Sequence, residues 1–306
     1  MPITIYESFR AVFYTPFYLP HALGAYEAEG LDVQLSTSPG LDDVSVHLRD
    51  GQADVYWGGP MRIMVNYDRD PNCGIIGFCE AVTRDPFFLI GTRANPGFEL
   101  TDLANVLLAT VSEVPTPWMC LQNDLRRAGI DPDSIVRTGE ASMAKNAAAL
   151  RAGAVDVAQL FQPQVEELLS AGAGHIWYVA AARGPCSYTT LYCLQATLEK
   201  QPDVMHRMTR AMFRAQKWLH AHDGHTVAAA IASFFPDCPI DLLAAAVERY
   251  KSLGIWGRNP RLPRAGFERL REALLSGGLI KNKIAYETCV DMRFADAVIL
   301  EDPHSI

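Results

Sequence analysis

Strand-like and helix-like runs alternate through the first 190 residues. Ile3–Tyr6 alternates apolar and polar side chains, as expected of a half-buried strand. Leu19 to Glu29 has apolar residues at helical spacing and predicts a helix that stops at Gly30. Repeated strand–helix–strand units need crossover connections, so they predict mostly parallel sheets covered by helices. After Glu199 the predicted elements are the helices Pro202–His222, Thr226–Phe235, Ile240–Ser252 and Arg264–Ser276.

An eight-residue pattern occurs twice in the chain. Leu48–Val55 is matched by Leu150–Val157, with Leu, Arg, Gly, Asp and Val repeated at an offset of 102 residues. Each copy predicts a helix that ends at glycine, a tight turn and a strand that begins with Asp-Val. Glycine readily adopts the positive φ of such a turn, and the aspartate can cap it. A generic helix-to-strand connection would give the same pattern, but two copies in similar surroundings favour two similar lobes.

These segments resemble the bilobal, type II periplasmic substrate-binding proteins, especially the branch with nitrate, sulfonate and thiamine-pyrimidine-precursor binders. The residues that carry the resemblance are Gly24–Val33, Leu48–Pro60, Leu100–Leu103 with Val106–Val111, and Gln201–Asp203 before a long helix. The resemblance implies an α/β fold of two lobes, each a mostly parallel sheet flanked by helices, with a helical C-terminal part. It implies chain crossings near Arg84 and Tyr188. We therefore expect lobe one from residues 1–84 plus 190–306, lobe two from residues 85–189, and a ligand cleft between them.

One enzyme of this branch, the pyrimidine-precursor synthase, is a poor match to the chain. It uses a lysine that binds pyridoxal phosphate and a nearby histidine, both just after the lobe-one glycine turn. Here Gly58 stands where the lysine would be, and Arg62 where the histidine would be. Because the amine needed for a Schiff base is missing, the sequence argues against that activity. We expect no cofactor.

Composition and charge exclude several classes of protein. The 306 residues contain 27 Lys+Arg and 35 Asp+Glu, a formal net charge of −8, which lacks the basic footprint of a nucleic-acid-binding protein. No stretch approaches the roughly 18 apolar residues of a membrane span, so no membrane insertion is expected. The N-terminus has no secretory signal pattern, and the seven cysteines form no CxxC pair. These features favour the cytoplasm for the chain as written, with the periplasm open if a signal peptide has been removed.

The aromatic run that follows the first predicted strand supplies candidate ligand-binding residues. Ligands of α/β lobes lie at the carboxyl ends of strands, so site residues are expected in the loops that follow strands. Tyr14, Phe17 and Tyr18 are interpreted either as a stacking wall for a flat ligand or, equally, as a hydrophobic lid on the sheet.

Two glycines follow the Asp-Val strand that ends near Trp57. Gly58 and Gly59 would let the backbone approach a ligand closely, and Trp57 offers a ring face. The alternative is a tight strand-to-helix turn with a tryptophan in the core.

The predicted second lobe contributes further candidates at a strand-to-helix connection. Pro117 suits a first helical turn, which makes Thr116 the expected N-cap, and the helix N-terminus could hold an anionic or carbonyl group. Ser112 and Trp118 flank this connection and are included as ligand-binding candidates.

The remaining candidate ligand-binding residues lie at the end of the second Asp-Val strand and at the chain crossings. Phe161 and Gln162 are the counterpart of the Trp57 segment, and Gln162 would either bond a ligand or initiate a helix. Arg84 would face the cleft or pair with Asp85, and pairing is favoured; Tyr188 lies at the other crossing.

Two signals of other chemistry are rejected. His220–His225 contains three histidines, but a helix C-terminus favours histidine through its dipole, so no metal site is expected. Cys186 has no identifiable base and is interpreted as a small buried residue rather than a nucleophile. No catalytic group of residues stands out.

The sequence thus predicts a non-catalytic protein that closes two lobes on a small, partly aromatic or heterocyclic ligand. The resemblance implies that such a protein delivers its ligand to the permease of an ABC-type importer. The alternative is a cytoplasmic enzyme on the same fold, such as a decarboxylase, a desulfinase or an enzyme of pyrimidine or cofactor metabolism. Its loose candidates for an acid–base or nucleophile pair are Cys186, His21, Arg62 and Glu80.

Overall fold

The strands of the computed structural model, which describes residues 2–38 and 44–306, fall into two sheets. In chain order they are β1 (Ile3–Glu7), β2 (Val33–Thr37), β3 (Val55–Gly58), β4 (Ile75–Val82), β5 (Phe88–Gly91), β6 (Leu108–Ala109), β7 (Val157–Leu160), β8 (His175–Val179) and β9 (Thr189–Leu194). The helices are α1 (Thr15–Ala22), α2 (Ala25–Ala28), α3 (Val44–Arg49), α4 (Pro60–Arg69), α5 (Thr116–Arg127), α6 (Met143–Arg151), α7 (Gln164–Ser170), α8 (Gln195–Lys200), α9 (Pro202–Ala221), α10 (Gly224–Ile231), α11 (Ile240–Ser252), α12 (Arg264–Ser276), α13 (Tyr286–Cys289) and α14 (Arg293–Glu301). Short 3-10 turns cover Val12–Tyr14, Leu100–Asn105, Pro132–Ser134, Ala180–Arg183 and Ala232–Phe234.

Each sheet has one strand that runs against the others. The first sheet has the order β2-β1-β3-β9-β4, and β9 is antiparallel to both of its neighbours. The second has the order β6-β7-β5-β8, and β5 is antiparallel to both of its neighbours. In each case the reversed strand is the one by which the chain enters from the other sheet. The predicted α/β fold with mostly parallel strands is confirmed.

Two extended segments join the sheets, one from β4 to β5 and one from β8 to β9. They bond to each other, since the Cys186 N–H donates to the Thr83 carbonyl at 2.9 Å and the Tyr188 N–H to the Val82 carbonyl at 2.9 Å. Both joins lie near the crossings expected from the sequence. The exact lobe boundaries, at residues 84/85 and 189/190, stay a proposal.

The predicted pairing of Arg84 with Asp85 is wrong. Asp85 pairs instead with Arg183, whose guanidinium lies 2.5 Å from one Asp85 oxygen and 2.5 Å from Asp124. Neighbours in an extended segment point in opposite directions, so Arg84 does not meet Asp85. The result is a buried ion-pair network beside the crossings, with the Asp85 side chain 0% exposed.

The predicted helix from Leu19 to Glu29 is two helices in the structure. The chain is already helical from Thr15, and α1 ends at Ala22. Gly24, with φ of 67°, breaks the path before α2. Pro16 explains the early start, because proline fits the first turn of a helix. Phe17 and Tyr18 therefore lie in α1 and not in a loop.

The repeated pattern forms the same local structure twice. Gly51 lies between α3 and β3 with φ of 68°, and Gly153 between α6 and β7 with φ of 69°. The aspartates that follow were expected to cap their own turns, but their hydrogen bonds go elsewhere. Asp54 accepts a hydrogen bond from the backbone N–H of Thr4 at 2.8 Å, and Asp156 accepts one from Leu107 at 2.8 Å. Each carboxylate thus ties its strand to the strand beside it.

Helices from the C-terminal part pack against helices of the second sheet on both flanks. On one flank α12 lies against α5, and the Ser276 hydroxyl donates to Asn123 at 3.1 Å. On the other, α11 lies against α7, and Arg249 pairs with Glu166. The space between these flanks is where the carboxyl ends of β1 and β7 meet.

Candidate ligand-binding site

A cavity of about 450 Å³ opens between the two sheets, and we call it the cleft cavity. From the side of the first sheet it is lined by residues 9–11, just after β1, and by residues 234–238. From the side of the second sheet it is lined by residues 142–144 at the start of α6, by Phe161 just after β7, and by Glu113. Its volume is that of a site for a small organic molecule.

Aromatic rings form a continuous layer that begins at this cavity. The Phe9 and Phe161 rings stack with centroids 6.1 Å apart, and Phe9 touches Tyr14 at 5.6 Å. Tyr14 in turn lies 6.0 Å from Trp57, which packs on Phe17 at 5.2 Å and on Tyr18 at 5.5 Å. Phe161 lines the cavity, whereas the four predicted residues of the first sheet lie behind Phe9. Their direct contact with a ligand stays a prediction, beside the lid interpretation for Tyr14, Phe17 and Tyr18 and the core interpretation for Trp57.

Both predicted glycines are in close contact with neighbours. A Cβ on Gly58 would lie 2.9 Å from the hydroxyl of Tyr192, and one on Gly59 would lie 3.3 Å from the carbonyl oxygen of Tyr188. Packing within the first sheet thus explains why small residues are needed here. The hydroxyls of Tyr188 and Tyr192 are buried without a hydrogen-bond partner in the part of the chain that the structure describes.

Arg10 lines the cavity, although it is not among the residues predicted from the sequence. Its guanidinium pairs with the buried Glu7 at 2.6 Å and lies over the rings of Tyr18 and Phe234, at 5.2 and 5.3 Å. Burial raises the pKa of Glu7, and the nearby Arg10 opposes this shift. The Arg10 guanidinium also donates a hydrogen bond to the Phe234 carbonyl at 3.2 Å, which ties the loop after β1 to the wall segment 234–238.

Glu113 holds the start of α6 and also faces the cavity. One of its oxygens accepts a hydrogen bond from the Met143 N–H at 2.7 Å. The other oxygen is buried and has no partner among residues 2–38 and 44–306. A helix N-terminus favours a carboxylate at this place. The residues predicted from this loop were Ser112, Thr116 and Trp118, and not Glu113.

Those three neighbours of Glu113 have different surroundings. Thr116 is the first residue of α5 and is not its N-cap, because Pro115 precedes it with helical dihedrals, φ of −75° and ψ of −22°. Ser112 is exposed and lines a second cavity of about 200 Å³, together with Glu113 and Arg62. The Trp118 ring lies 4.0 Å from the Arg137 guanidinium.

Gln162 initiates a helix, which is one of the two roles expected for it. Its side chain accepts a hydrogen bond from the Glu166 N–H at 3.0 Å and donates to the Glu166 carboxylate at 3.0 Å. Its own N–H donates to the Tyr250 hydroxyl at 3.0 Å. The residue is 0% exposed, so these contacts fix it beneath the cavity floor.

The candidate catalytic residues do not assemble at the cavity. Cys186 and Glu80 are both 0% exposed, and burial lowers the pKa of His21 to about 4. Cys238 does line the cavity, but burial and, to a lesser degree, Glu167 raise its pKa, which keeps it a thiol.

The histidines near the end of α9 have ordinary surroundings. One ring nitrogen of His220 lies 3.1 Å from the Gly257 carbonyl oxygen. Across the described ranges no three His, Cys, Asp or Glu side chains form a group that could hold a metal ion. Over the same ranges no helix is both long and apolar enough to cross a membrane.

Comparisons with known proteins agree with this architecture. The model of the NMT1-like family matches residues 97–233, less than half of the chain. YtlA of Bacillus subtilis, whose name marks it as a candidate binding protein, is 28% identical over 98% of this chain and 90% of its own length.

Two solved structures illustrate the range of proteins with this fold. SsuA of Methylobacillus flagellatus is named a periplasmic sulfonate-binding protein of a candidate sulfonate ABC transporter. Its structure gives a TM-score of 0.75 at 14% identity, and the match covers 98% of this chain and 94% of the SsuA chain. The desulfurization enzyme DSZB gives 0.73 at 15% identity, covering 98% of this chain and 100% of its own. The chain has the type II periplasmic-binding fold. The resemblance to type II periplasmic substrate-binding proteins, expected from the sequence, is therefore confirmed. In this chain the cleft cavity lies between the two sheets of that fold.

Proposed function

We propose that the protein binds a small organic molecule in the cleft cavity and closes its two lobes around it. The observation that carries the proposal is the cavity itself, about 450 Å³ walled by loops from both sheets. A ligand there would touch Phe9 and residues 234–238 on one side and Phe161 and Glu113 on the other. Contacts made only when both sides meet the ligand would favour a closed arrangement.

The chemistry of the wall supports binding without turnover. The cavity offers aromatic rings, an arginine whose charge is compensated by Glu7, and carboxylates. Cys238, which could act as a nucleophile, is kept as a thiol by its surroundings. The predicted residues Tyr14, Phe17, Tyr18 and Trp57 would then support the wall from behind, with Tyr188 at the crossing.

A permease of an ABC-type importer is the partner that we propose for the loaded protein. The name of the SsuA relative in fold, which places that protein with an ABC transporter, supports this choice. All seven cysteines are free in the structure, which fits a reducing compartment and therefore a carrier or sensor in the cytoplasm as well.

A thermal-shift screen tests the proposed function. The panel comprises pyrimidines, flavins, sulfonates, aromatic carboxylates and aromatic amines, each added to the purified full chain. A ligand that binds only the folded state raises the melting temperature with its concentration, by an amount set by its affinity. We expect at least one class to raise it. No shift with any class would contradict the proposal.

A second candidate function is an enzyme, supported by the DSZB structure on the same fold. The panel distinguishes the two, because product analysis after incubation shows whether a compound that raises the melting temperature is also consumed. Recovery of the unchanged compound favours binding alone.

A further inference from the structure

Acidic side chains dominate the charge on the wall of the cleft cavity. Glu113, Glu167 and Asp237 line it, and Arg10 is the cation among the lining residues. Arg10 already pairs with Glu7 at 2.6 Å, and Glu7 is buried. Glu113 also lines the second cavity with Arg62. Within the cleft cavity itself the lining charges are mostly negative, and partial burial strengthens their interaction with a ligand.

Buried oxygen atoms on the same wall lack hydrogen-bond donors. Glu113 and Gln164 line the cavity, and in the described part of the chain Oε2 of Glu113 and Oε1 of Gln164 are buried and have no hydrogen-bond partner. The other Glu113 oxygen accepts from the Met143 N–H at 2.7 Å, which fixes the carboxylate in place. Buried acceptors are normally satisfied, so each of these two side chains has an acceptor left for a ligand group that donates hydrogen bonds and reaches it.

The position of Glu113 also disfavours an anion. Helix N-termini commonly bind anions through their free N–H groups. At the start of α6 this place is already taken by the Glu113 carboxylate. A sulfonate or carboxylate of a ligand would meet that carboxylate before it reached the helix.

Aromatic residues on the cavity wall also suit a cation. Phe9, Phe161, Phe234 and Phe235 line the cavity, and the guanidinium of Arg10 already lies over the ring of Phe234. The face of an aromatic ring attracts an ammonium group within about 6 Å. Rings and carboxylates together recognise a charged nitrogen attached to an apolar body.

We propose that the cleft cavity takes an organic cation, an amine or amidine on an apolar or aromatic body, with its charged nitrogen against Glu113. This inference rests on the proposed function and specifies the class of its ligand. The ligand group recognised here would be positively charged, whereas a sulfonate group is negatively charged.

Matched probes of equal shape and different charge test the inference. Tryptamine, tryptophol and indole-3-propionate form one set, and 2-phenylethylamine, 2-phenylethanol and 3-phenylpropionate form a second. Titration calorimetry on the full chain measures the affinity of each. We expect the amine of at least one set to bind about tenfold or more tightly than its alcohol and acid, the ratio typical of one charge-assisted hydrogen bond.

Three variants test whether carboxylates of the cavity wall cause the tighter binding of the amines. Glu113→Gln keeps an acceptor for Met143 and removes the charge, so the preference for the amine should disappear. Glu167→Gln removes charge without touching that contact and should weaken amine binding about twofold or more. Glu140→Gln makes the same change at an exposed residue outside the wall and should leave all affinities unchanged.

Two kinds of result would overturn the inference. Tighter binding of the acids, or an amine preference that survives both wall variants, overturns it and leaves the proposed function intact. No binding of any probe to the wild-type protein overturns it too, and the thermal-shift screen then shows separately whether the proposed function also fails.

Discussion

Asp54 and Asp156 make the same contact in the two sheets. Each follows a helix, a glycine and a tight turn, and each accepts one backbone hydrogen bond at 2.8 Å near the start of a neighbouring strand. The donor to Asp54 is the N–H of Thr4 in β1, and the donor to Asp156 is the N–H of Leu107 just before β6. The two positions are 102 residues apart in the sequence. The repeat thus preserves a contact between strands and not only a turn.

Removing either carboxylate should destabilise the protein. Asp54→Ala and Asp156→Ala each leave a backbone N–H without its acceptor, so the free energy of unfolding should fall by about 1–2 kcal/mol. Urea denaturation followed by circular dichroism measures the change. Asp50→Ala, at an exposed position of the first repeat, is the control and should change it by less than about 0.5 kcal/mol. Equal effects at all three positions would contradict the contact as the cause.

Replacing Trp57 separates the wall and lid interpretations of the aromatic layer. Its side chain is 0% exposed and packs on Phe17, so Trp57→Ala should cost about 3–5 kcal/mol of stability. Trp57→Phe should retain most of the packing and remain folded, so its affinity can be measured by calorimetry. If affinity for a bound compound falls with Trp57→Phe, the ring contacts the ligand. If it is unchanged, the layer is a lid behind Phe9.

The predictions from sequence were best where one segment determines its own structure. The helices at Ile240–Ser252 and Arg264–Ser276 have the predicted bounds, because each has an apolar face at helical spacing and begins after a proline. The start of α1 was missed because its first residues, Thr15 to Pro20, are all buried and so show no amphipathic period.

The site was predicted less well because its wall joins segments that are far apart in the chain. Residues 9–11 meet residues 234–238, and no local pattern reports that contact. Phe9 and Arg10 could have been found, since they directly follow β1 and the loops after strands were the ones searched. Glu113 could have been found from the same loop as Thr116, but an unpaired buried oxygen is visible only in three dimensions.

Breaking the ion-pair network beside the crossings should be costly. Arg183→Gln leaves the Asp85 carboxylate, 0% exposed, without its countercharge. Loss of one partner of a buried pair typically costs about 3–5 kcal/mol. Arg261→Gln removes one partner of the exposed pair with Asp296, both about half exposed, and should cost about 0–1 kcal/mol. Similar losses in the two variants, measured by urea denaturation, would refute the special role of the network.

His21 should make stability depend on pH in a defined window. Burial lowers the pKa of His21 from 6.5 to about 4 in the folded state. The unfolded chain therefore takes up a proton below pH 6.5 that the folded protein does not, and the free energy of unfolding falls between pH 6.5 and 4. The loss attributable to this group is at most about 3 kcal/mol. His21→Asn should reduce the dependence over that window, and an unchanged pH profile would contradict the assignment.

The location of the ligand is tested most directly by filling the cleft cavity. Ala144 is exposed on α6 and lines the cavity, whereas Ala148, exposed one turn later on the same helix, does not. Ala144→Trp should therefore abolish binding, by titration calorimetry, of any compound that raises the melting temperature of the wild-type protein, while Ala148→Trp should bind it as the wild type does. Unchanged affinity in Ala144→Trp, with a normal melting temperature, would place the ligand elsewhere and contradict the account.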